Sequence, residues 1–185
     1  MRIIAGTCKG HRLASLKGLQ TRPTQDRIRE AIFNILEGYG PFEQVADLFA
    51  GSGALGLEAL SRWGGKALFV DHSKAALACL RDNMEHLKLT ENSLIVERDF
   101  SRGVDFLKKA GSPFDLVFLD PPYGQDWGPR ILPLLFRLPI LKETGVMVFE
   151  HDMQDRVPEK MGGWEIRDQR RYGRTKVSFY HSMKG

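Results

Sequence analysis

At 185 residues, with 42% hydrophobic and 27% charged side chains, the chain is long enough for one domain with a real core and marginal for two. No run is apolar enough to span a membrane, and the short apolar start is soon followed by Lys9 and Arg12, so neither a membrane protein nor a secretory leader is expected. Two cysteines, Cys8 and Cys79, and five histidines fall into no disulfide or metal-ligand spacing, which points to a metal-free cytoplasmic protein.

In chain order, a short strand pair is expected at Arg2–Ala5 and His11–Ala14, then a linker at Gly18–Pro23. A helix from Thr24 or Gln25 to Leu36 follows, with Ile28, Ile32, Ile35 and Leu36 on one face. Strands are predicted at Val45–Phe49, Ala67–Val70, Leu94–Val96 and Phe114–Leu119, alternating with helices at Leu57–Trp63, Ser73–Leu87 and Arg102–Lys109. A helix near Pro129–Leu138, a strand at Val146–Phe149 and two late strands, Trp164–Asp168 and Thr175–His181, complete the chain. Repeated βα units with short connections predict an α/β fold, a mostly parallel seven-stranded sheet with helices on both faces. The last two strands should form an antiparallel hairpin at one edge.

Three features carry chemistry. The Val45–Phe49 strand runs into Ala50-Gly51-Ser52-Gly53-Ala54-Leu55-Gly56 and a helix, so Gly51, Gly53 and Gly56 match G-x-G-x-x-G in the strand-to-helix context that a nucleotide fingerprint requires. The next strand ends about twenty residues on in Asp71, where a carboxylate can bind the two hydroxyls of an adenosine ribose. A dinucleotide and S-adenosylmethionine both suit these features. Asp47 favours the methyl donor, because a carboxylate inside the strand end attracts a methionine ammonium and repels a pyrophosphate; it also has the chemistry of a local backbone cap. Phe49, Gly51, Ser52 and Gly53 form the loop expected to hold the donor. Asp99 and Phe100, after the third strand, could bond the adenine amine and cover its ring, while Asp99 could equally cap the 102–109 helix.

The most informative stretch is Asp120-Pro121-Pro122-Tyr123 at the end of the Phe114–Leu119 strand. Two prolines remove two N–H donors and leave the Asp120 and Pro121 carbonyls as free acceptors beside a carboxylate and an aromatic ring, a grip for a planar amine. Charge supplies the partner class. Residues 1–30 and 160–185 each carry seven Lys/Arg against two Asp/Glu, +5 apiece, leaving −6 for 31–159 of a net +4. Basic ends on an acidic centre imply a polyanion held by the termini. Tyr172 among Arg167, Arg170, Arg171 and Arg174 suits folded nucleic acid, where charge meets phosphate and a ring stacks on an unpaired base.

The blocks Met1–Gly6, Lys9-Gly10, Thr21-Arg22-Pro23-Thr24, Asp26-Arg27, Arg29-Glu30-Ala31, Phe33–Leu36, Asp47–Ala59, Asp120–Tyr123 and Tyr172-Gly173 together resemble the bacterial 16S rRNA guanine-N2 methyltransferase family nearly end to end. The resemblance implies a class I, Rossmann-like methyltransferase: a single domain over 1–185, with residues 1–40 as an RNA-binding hairpin and helix extension and 41–185 as the catalytic core. It implies S-adenosylmethionine as donor and one guanine of 16S rRNA as acceptor, in the small ribosomal subunit or its assembly intermediate; that no helix has a spare apolar face separately points to a monomer. Asp120, Pro121, Pro122 and Tyr123 are then catalytic, and Asp47, Phe49, Gly51, Ser52, Gly53, Asp71, Asp99 and Phe100 bind the donor. Lys9, Arg12, Arg22, Arg27 and Arg174 would meet RNA. Asp71 stands where the family often has glutamate, so its ribose contact would be longer or bridged by water. Three rival readings remain at this stage. A DNA adenine-N6 methyltransferase shares D-P-P-Y but usually carries a further recognition domain. An NAD-dependent oxidoreductase leaves D-P-P-Y unexplained, and a non-catalytic RNA-binding factor leaves the intact motifs unexplained.

Overall fold

The computed structural model describes residues 1–16, 23–122 and 124–184 and divides into two compact units, Met1–Arg98 and Asp99–Gly185. In the first, α1 (Pro23–Leu36) is followed by β1 (Gln44–Leu48), α2 (Ala54–Trp63), β2 (Lys66–Asp71), α3 (Lys74–Leu87) and β3 (Ser93–Glu97). These strands lie in the order β3-β2-β1 and are parallel, with Leu48 opposite Val70 and Val70 opposite Val96. Residues 45–48 and 67–70 are buried without interruption, as strands covered on both faces must be. Pro23 begins α1, where its missing N–H costs nothing and its fixed φ suits the first turn. The buried face of α1 is Ile28, Ile32, Phe33 and Leu36, whereas the predicted Ile35 is only half-buried.

The N-terminal strand pair is a short one, bridged at Arg2 and Arg12 and held by Ile3 N to the His11 carbonyl (3.0 Å), Leu13 N to the Met1 carbonyl (3.0 Å) and Gly10 N to the Ile3 carbonyl (2.9 Å); residues 4–8 also dock on α2. Fully buried Glu58 accepts the N–H groups of Ile4 (2.7 Å) and Ala5 (3.0 Å) and the Nε–H of Arg62 (2.8 Å). Ser61 Oγ accepts from Cys8 N at 2.9 Å and donates to the Ala5 carbonyl at 2.6 Å. Gly6, at φ 80, lies so close to the Ser61 carbonyl that a Cβ there would collide with it. The predicted linker at 18–23 lies, up to residue 22, outside the described residues.

In the second unit β4 (Phe114–Leu119) precedes α4 (Trp127–Phe136), β5 (Leu141–Asp152), β6 (Lys160–Met161), β7 (Trp164–Tyr172) and β8 (Thr175–Ser182). The order is β4-β5-β8-β7-β6, with β4 and β5 parallel and the later pairs antiparallel. Two expectations need correction. Residues 102–109 form no α-helix: 3-10 turns at Phe100–Arg102 and Asp105–Lys109 are separated at Gly103, whose φ of 94 interrupts a helix. The described residues also hold eight strands rather than seven, since Gly162-Gly163, both at positive φ, turn a short β6 back onto β7. Among the described residues, no helix is long and apolar enough to cross a membrane.

Replacing Glu58 by Ala would leave the buried Arg62 Nε–H and two backbone donors without their acceptor, Arg62 keeping its pair with Glu37 at 2.6 Å. We expect Glu58→Ala to lower the unfolding free energy by about 3–5 kcal/mol, read in urea as a lower midpoint at unchanged m-value.

Candidate active site

In the first unit the glycine loop is held by two carboxylates. Parallel pairing sets the ends of β1 and β2 side by side, so Phe49 and Ala50 both donate to the Val70 carbonyl, at 3.0 and 2.9 Å. The chain then turns sharply: Phe49, Gly51 and Gly53 have φ of 76, 55 and 82. A phenylalanine in the left-handed region stores strain of the kind that collects at ligand sites. The three glycines of the motif do different things. A Cβ on Gly51 would meet nothing within 4 Å, on Gly53 it would meet Leu80 and Leu57, and on Gly56 it would meet Phe69 and Asp47. Gly51 thus leaves backbone open to a ligand, Gly53 makes the turn, and Gly56 lets α2 lie close against β2.

Asp71, at the end of β2, accepts from Gly51 N at 2.9 Å through Oδ2 and from Ser73 N at 2.8 Å through Oδ1. Asp47 is wholly buried, and its Oδ2 accepts from Gly56 N at 2.9 Å, in the first turn of α2, whose preceding Gly53 offers no side-chain cap. Burial raises its carboxyl to about 7, the Gly56 bond opposing this and the Asp71 charge adding to it. Two N–H groups that a pyrophosphate would need are therefore already taken by carboxyl oxygens, and the charge of Asp71 repels phosphate. The arrangement fits a cationic ligand and does not fit a dinucleotide.

Sequence reasoning missed Asn83. Buried on α3, it donates from Nδ2 to the carbonyls of Ser52 (2.9 Å) and Ala14 (3.1 Å) and accepts Ala14 N at 2.7 Å, tying loop and N-terminal segment together. The available signal was a lone amide among Ala76, Leu77, Leu80, Met84 and Leu87 on the apolar face of that helix.

In the second unit, Asp120 is exposed at the end of β4, Pro121 is buried and Pro122 exposed. Tyr123 lies outside the described residues, as does Arg22. Asp99 caps the Phe100–Arg102 turn, its Oδ1 accepting from Ser101 N at 2.8 Å, rather than the helix foreseen after it. Phe100 is buried, its ring 5.9 Å from that of Phe106. Of the basic residues expected to meet RNA, Lys9, Arg12 and Arg27 are exposed in the first unit. Arg174 is exposed in the second and pairs with Asp152 at 3.3 Å.

A family model described as Conserved hypothetical protein 95 matches residues 1–181. The chain is 32% identical to Ribosomal RNA small subunit methyltransferase D of Escherichia coli, over 97% of this chain and 89% of that protein. It is 38% identical to the Haemophilus influenzae protein of the same name, over 81% and 78%. The solved structure of yhhF from Escherichia coli, whose name is that of a methyltransferase, superposes with a TM-score of 0.84 at 32% identity, covering 98% of this chain and 97% of that one. The fold is that of the class I methyltransferases.

Asp47 supplies a pH-dependent test of this geometry. Folded, it keeps its proton to about 7, against an ordinary 3.8, so the native state binds the extra proton between those values. Its contribution to stability is complete below the lower value and lost as pH rises through the upper one. Asp47→Asn stays neutral throughout. Its unfolding free energy relative to wild type should therefore shift in the variant's favour between about pH 4 and pH 8 in urea titrations. A difference that does not vary with pH would show that Asp47 titrates as an ordinary carboxylate.

Proposed function

Since this chain belongs to the family described as Conserved hypothetical protein 95, we propose that it transfers methyl from S-adenosylmethionine to the exocyclic N2 of one guanine in 16S rRNA. The acceptor is the small ribosomal subunit or its assembly intermediate, met in the cytoplasm by a monomeric, single-domain enzyme. The observation that carries this reading is the near end-to-end match to proteins named as small-subunit rRNA methyltransferases, in a chain that keeps an exposed Asp120 and two prolines at the end of β4.

The donor fits the residues present. Its bound form supplies a sulfonium methyl, already strongly electrophilic. Asp47 and the start of α2 would face its methionine ammonium, Asp71 its ribose, and Asp99 and Phe100 its adenine. Gly51 leaves room for close approach, with Phe49, Ser52 and Gly53 shaping the same loop. The amine is the harder partner. The N2 lone pair of guanine is delocalised into the ring, so orientation must supply most of the acceleration. The Asp120 carboxylate and Pro121 carbonyl accept the two N–H bonds, with Pro122 holding the turn, and favour a pyramidal nitrogen with its lone pair directed away from them. As that nitrogen gains positive charge the same acceptors stabilise it. The resulting ammonium is acidic enough to lose its proton to water or to Asp120. Tyr123 stacks on the base once it leaves its RNA context, and Lys9, Arg12, Arg22, Arg27 and Arg174 face phosphate.

Labelled methyl transfer to 30S particles lacking the modification, followed by nucleoside analysis, tests the reading. Label is expected in N2-methylguanosine. Asp120→Ala and Asp120→Asn should each lower kcat by at least about 100-fold while donor affinity stays near wild type. Full turnover in Asp120→Asn would remove Asp120 from the chemistry, and label in DNA or in another RNA would change the acceptor.

A further inference from the structure

Beyond the D-P-P-Y segment, the second unit has a polar row running across three strands. His151 on β5 lies opposite Lys176 on β8, and Lys176 lies opposite Arg171 on β7. Directly opposed residues of antiparallel strands project from the same face. His151 is buried and both ring nitrogens are engaged, Nδ1 with the Asp152 carbonyl at 3.0 Å and Nε2 with Ser178 Oγ at 2.9 Å. Ser178 Oγ accepts from Gln169 Nε2 at 2.8 Å, so its own proton is directed at His151. Burial holds the imidazole below its ordinary pKa; the bond to the Asp152 carbonyl and the charges of Asp155 and Asp152 oppose this, and the Lys176 charge adds to it. The positive charge of the row is therefore that of Lys176 and Arg171.

These two stand apart from the other cations of the β7–β8 hairpin. Arg167 is near Glu165 at 3.6 Å, Arg170 pairs with Asp168 at 2.9 Å and Arg174 with Asp152 at 3.3 Å. Arg171 instead donates to the Gly173 carbonyl and approaches Met153 Sδ, meeting no carboxylate among the described residues. Half-buried Lys176 has no hydrogen bond or ion pair from its ammonium to any described residue. Like charges directly opposite one another weaken a strand pair, and an anion placed between them would reverse the sign of that interaction.

The position of the row matters as much as its charge. Leu119 pairs with Phe149, so Asp120 leaves the sheet at the level of Glu150 and His151, in the same unit as the row. Lys176 is two strands from β4, about 10 Å at the usual strand spacing. That is the range of a phosphate neighbouring a nucleotide held at Asp120.

We infer that Lys176 and Arg171 form a backbone-phosphate site for the acceptor RNA, beside the segment that grips the target base. The inference rests on the reading of this chain as an RNA methyltransferase. It adds two residues that hold the strand flanking the target and play no part in donor binding.

The test uses the full chain, 30S particles lacking the modification, and the variants Lys176→Gln, Arg171→Gln and their combination. Each single change should raise KM for the particle about 10-fold, the lower part of the range for a charged contact, with kcat and donor Kd within about twofold. The slope of log binding constant against log salt should fall by about 0.7 for each single-strand phosphate that is no longer neutralised. Lys176→Arg should restore most of the affinity. Thermal unfolding of the free protein guards against a structural explanation, since relief of repulsion should leave Tm unchanged or higher. Wild-type KM and salt slope in the double variant, with the wild-type protein methylating the particle, would overturn the phosphate site and keep the enzyme assignment. A lower Tm with parallel weakening of donor binding would overturn it too, assigning the pair a structural role. No methyl transfer by the wild-type protein would remove the inference together with the reading beneath it.

Discussion

The buried bond between Asp47 Oδ2 and Gly56 N, at 2.9 Å, is the constraint on which the glycine loop of this molecule depends. It joins the end of β1 to the first turn of α2 and removes one of the donors that a helix N-terminus otherwise offers to an anion. Asp71 does the same to Gly51 from the neighbouring strand. In a loop that has the outline of a nucleotide fingerprint, two N–H groups are thereby taken by carboxyl oxygens before any ligand arrives. The cost is a carboxyl so desolvated that it keeps its proton to about 7, a perturbation of the size that accompanies functional sites.

The N-terminal segment is organised by a second set of buried polar contacts. Glu58, Ser61 and Asn83 satisfy the backbone of residues 4, 5, 8 and 14, beside the short backbone pairing of residues 1 and 3 with 10, 11 and 13. Asn83 reaches from that segment to the Ser52 carbonyl, so the docking of the first residues and the shape of the glycine loop share one side chain. Two electrostatic regimes then coexist in the chain. Carboxyl groups line the glycine loop, and basic residues gather at the two ends, an arrangement that suits the proposed cationic donor and polyanionic acceptor.

Much of the architecture was legible because it is written in contiguous residues. Strand-length apolar runs, the G-x-G-x-x-G spacing and the hairpin around Gly173 each specify local structure through burial, positive φ or turn chemistry. Where reading failed, the deciding contact was distant or a single glycine overrode a periodic pattern. Residues 102–109 have helical composition, yet Gly103 at φ 94 divides them into 3-10 turns. Arg2 and Ile3 pair with residues 11–13 as a local hairpin, whereas Ile4 and Ala5 bond to the Glu58 side chain on α2, which no local pattern announces.

The sequence by itself determined the βα order, the acidic ends of the first two strands, the Asp120-Pro121-Pro122 segment after β4 and the family to which the whole belongs, since all of these rest on residue type and spacing. Tertiary structure alone decided that Asp47 would be fully desolvated, that the loop N–H groups would be consumed by carboxylates, and that Lys176 would face Arg171 without a carboxylate on either. Desolvation and cross-strand register are properties of long-range packing. Chemical identity travels with the residue, whereas the dielectric and the neighbours that give it a role exist only once the chain has folded.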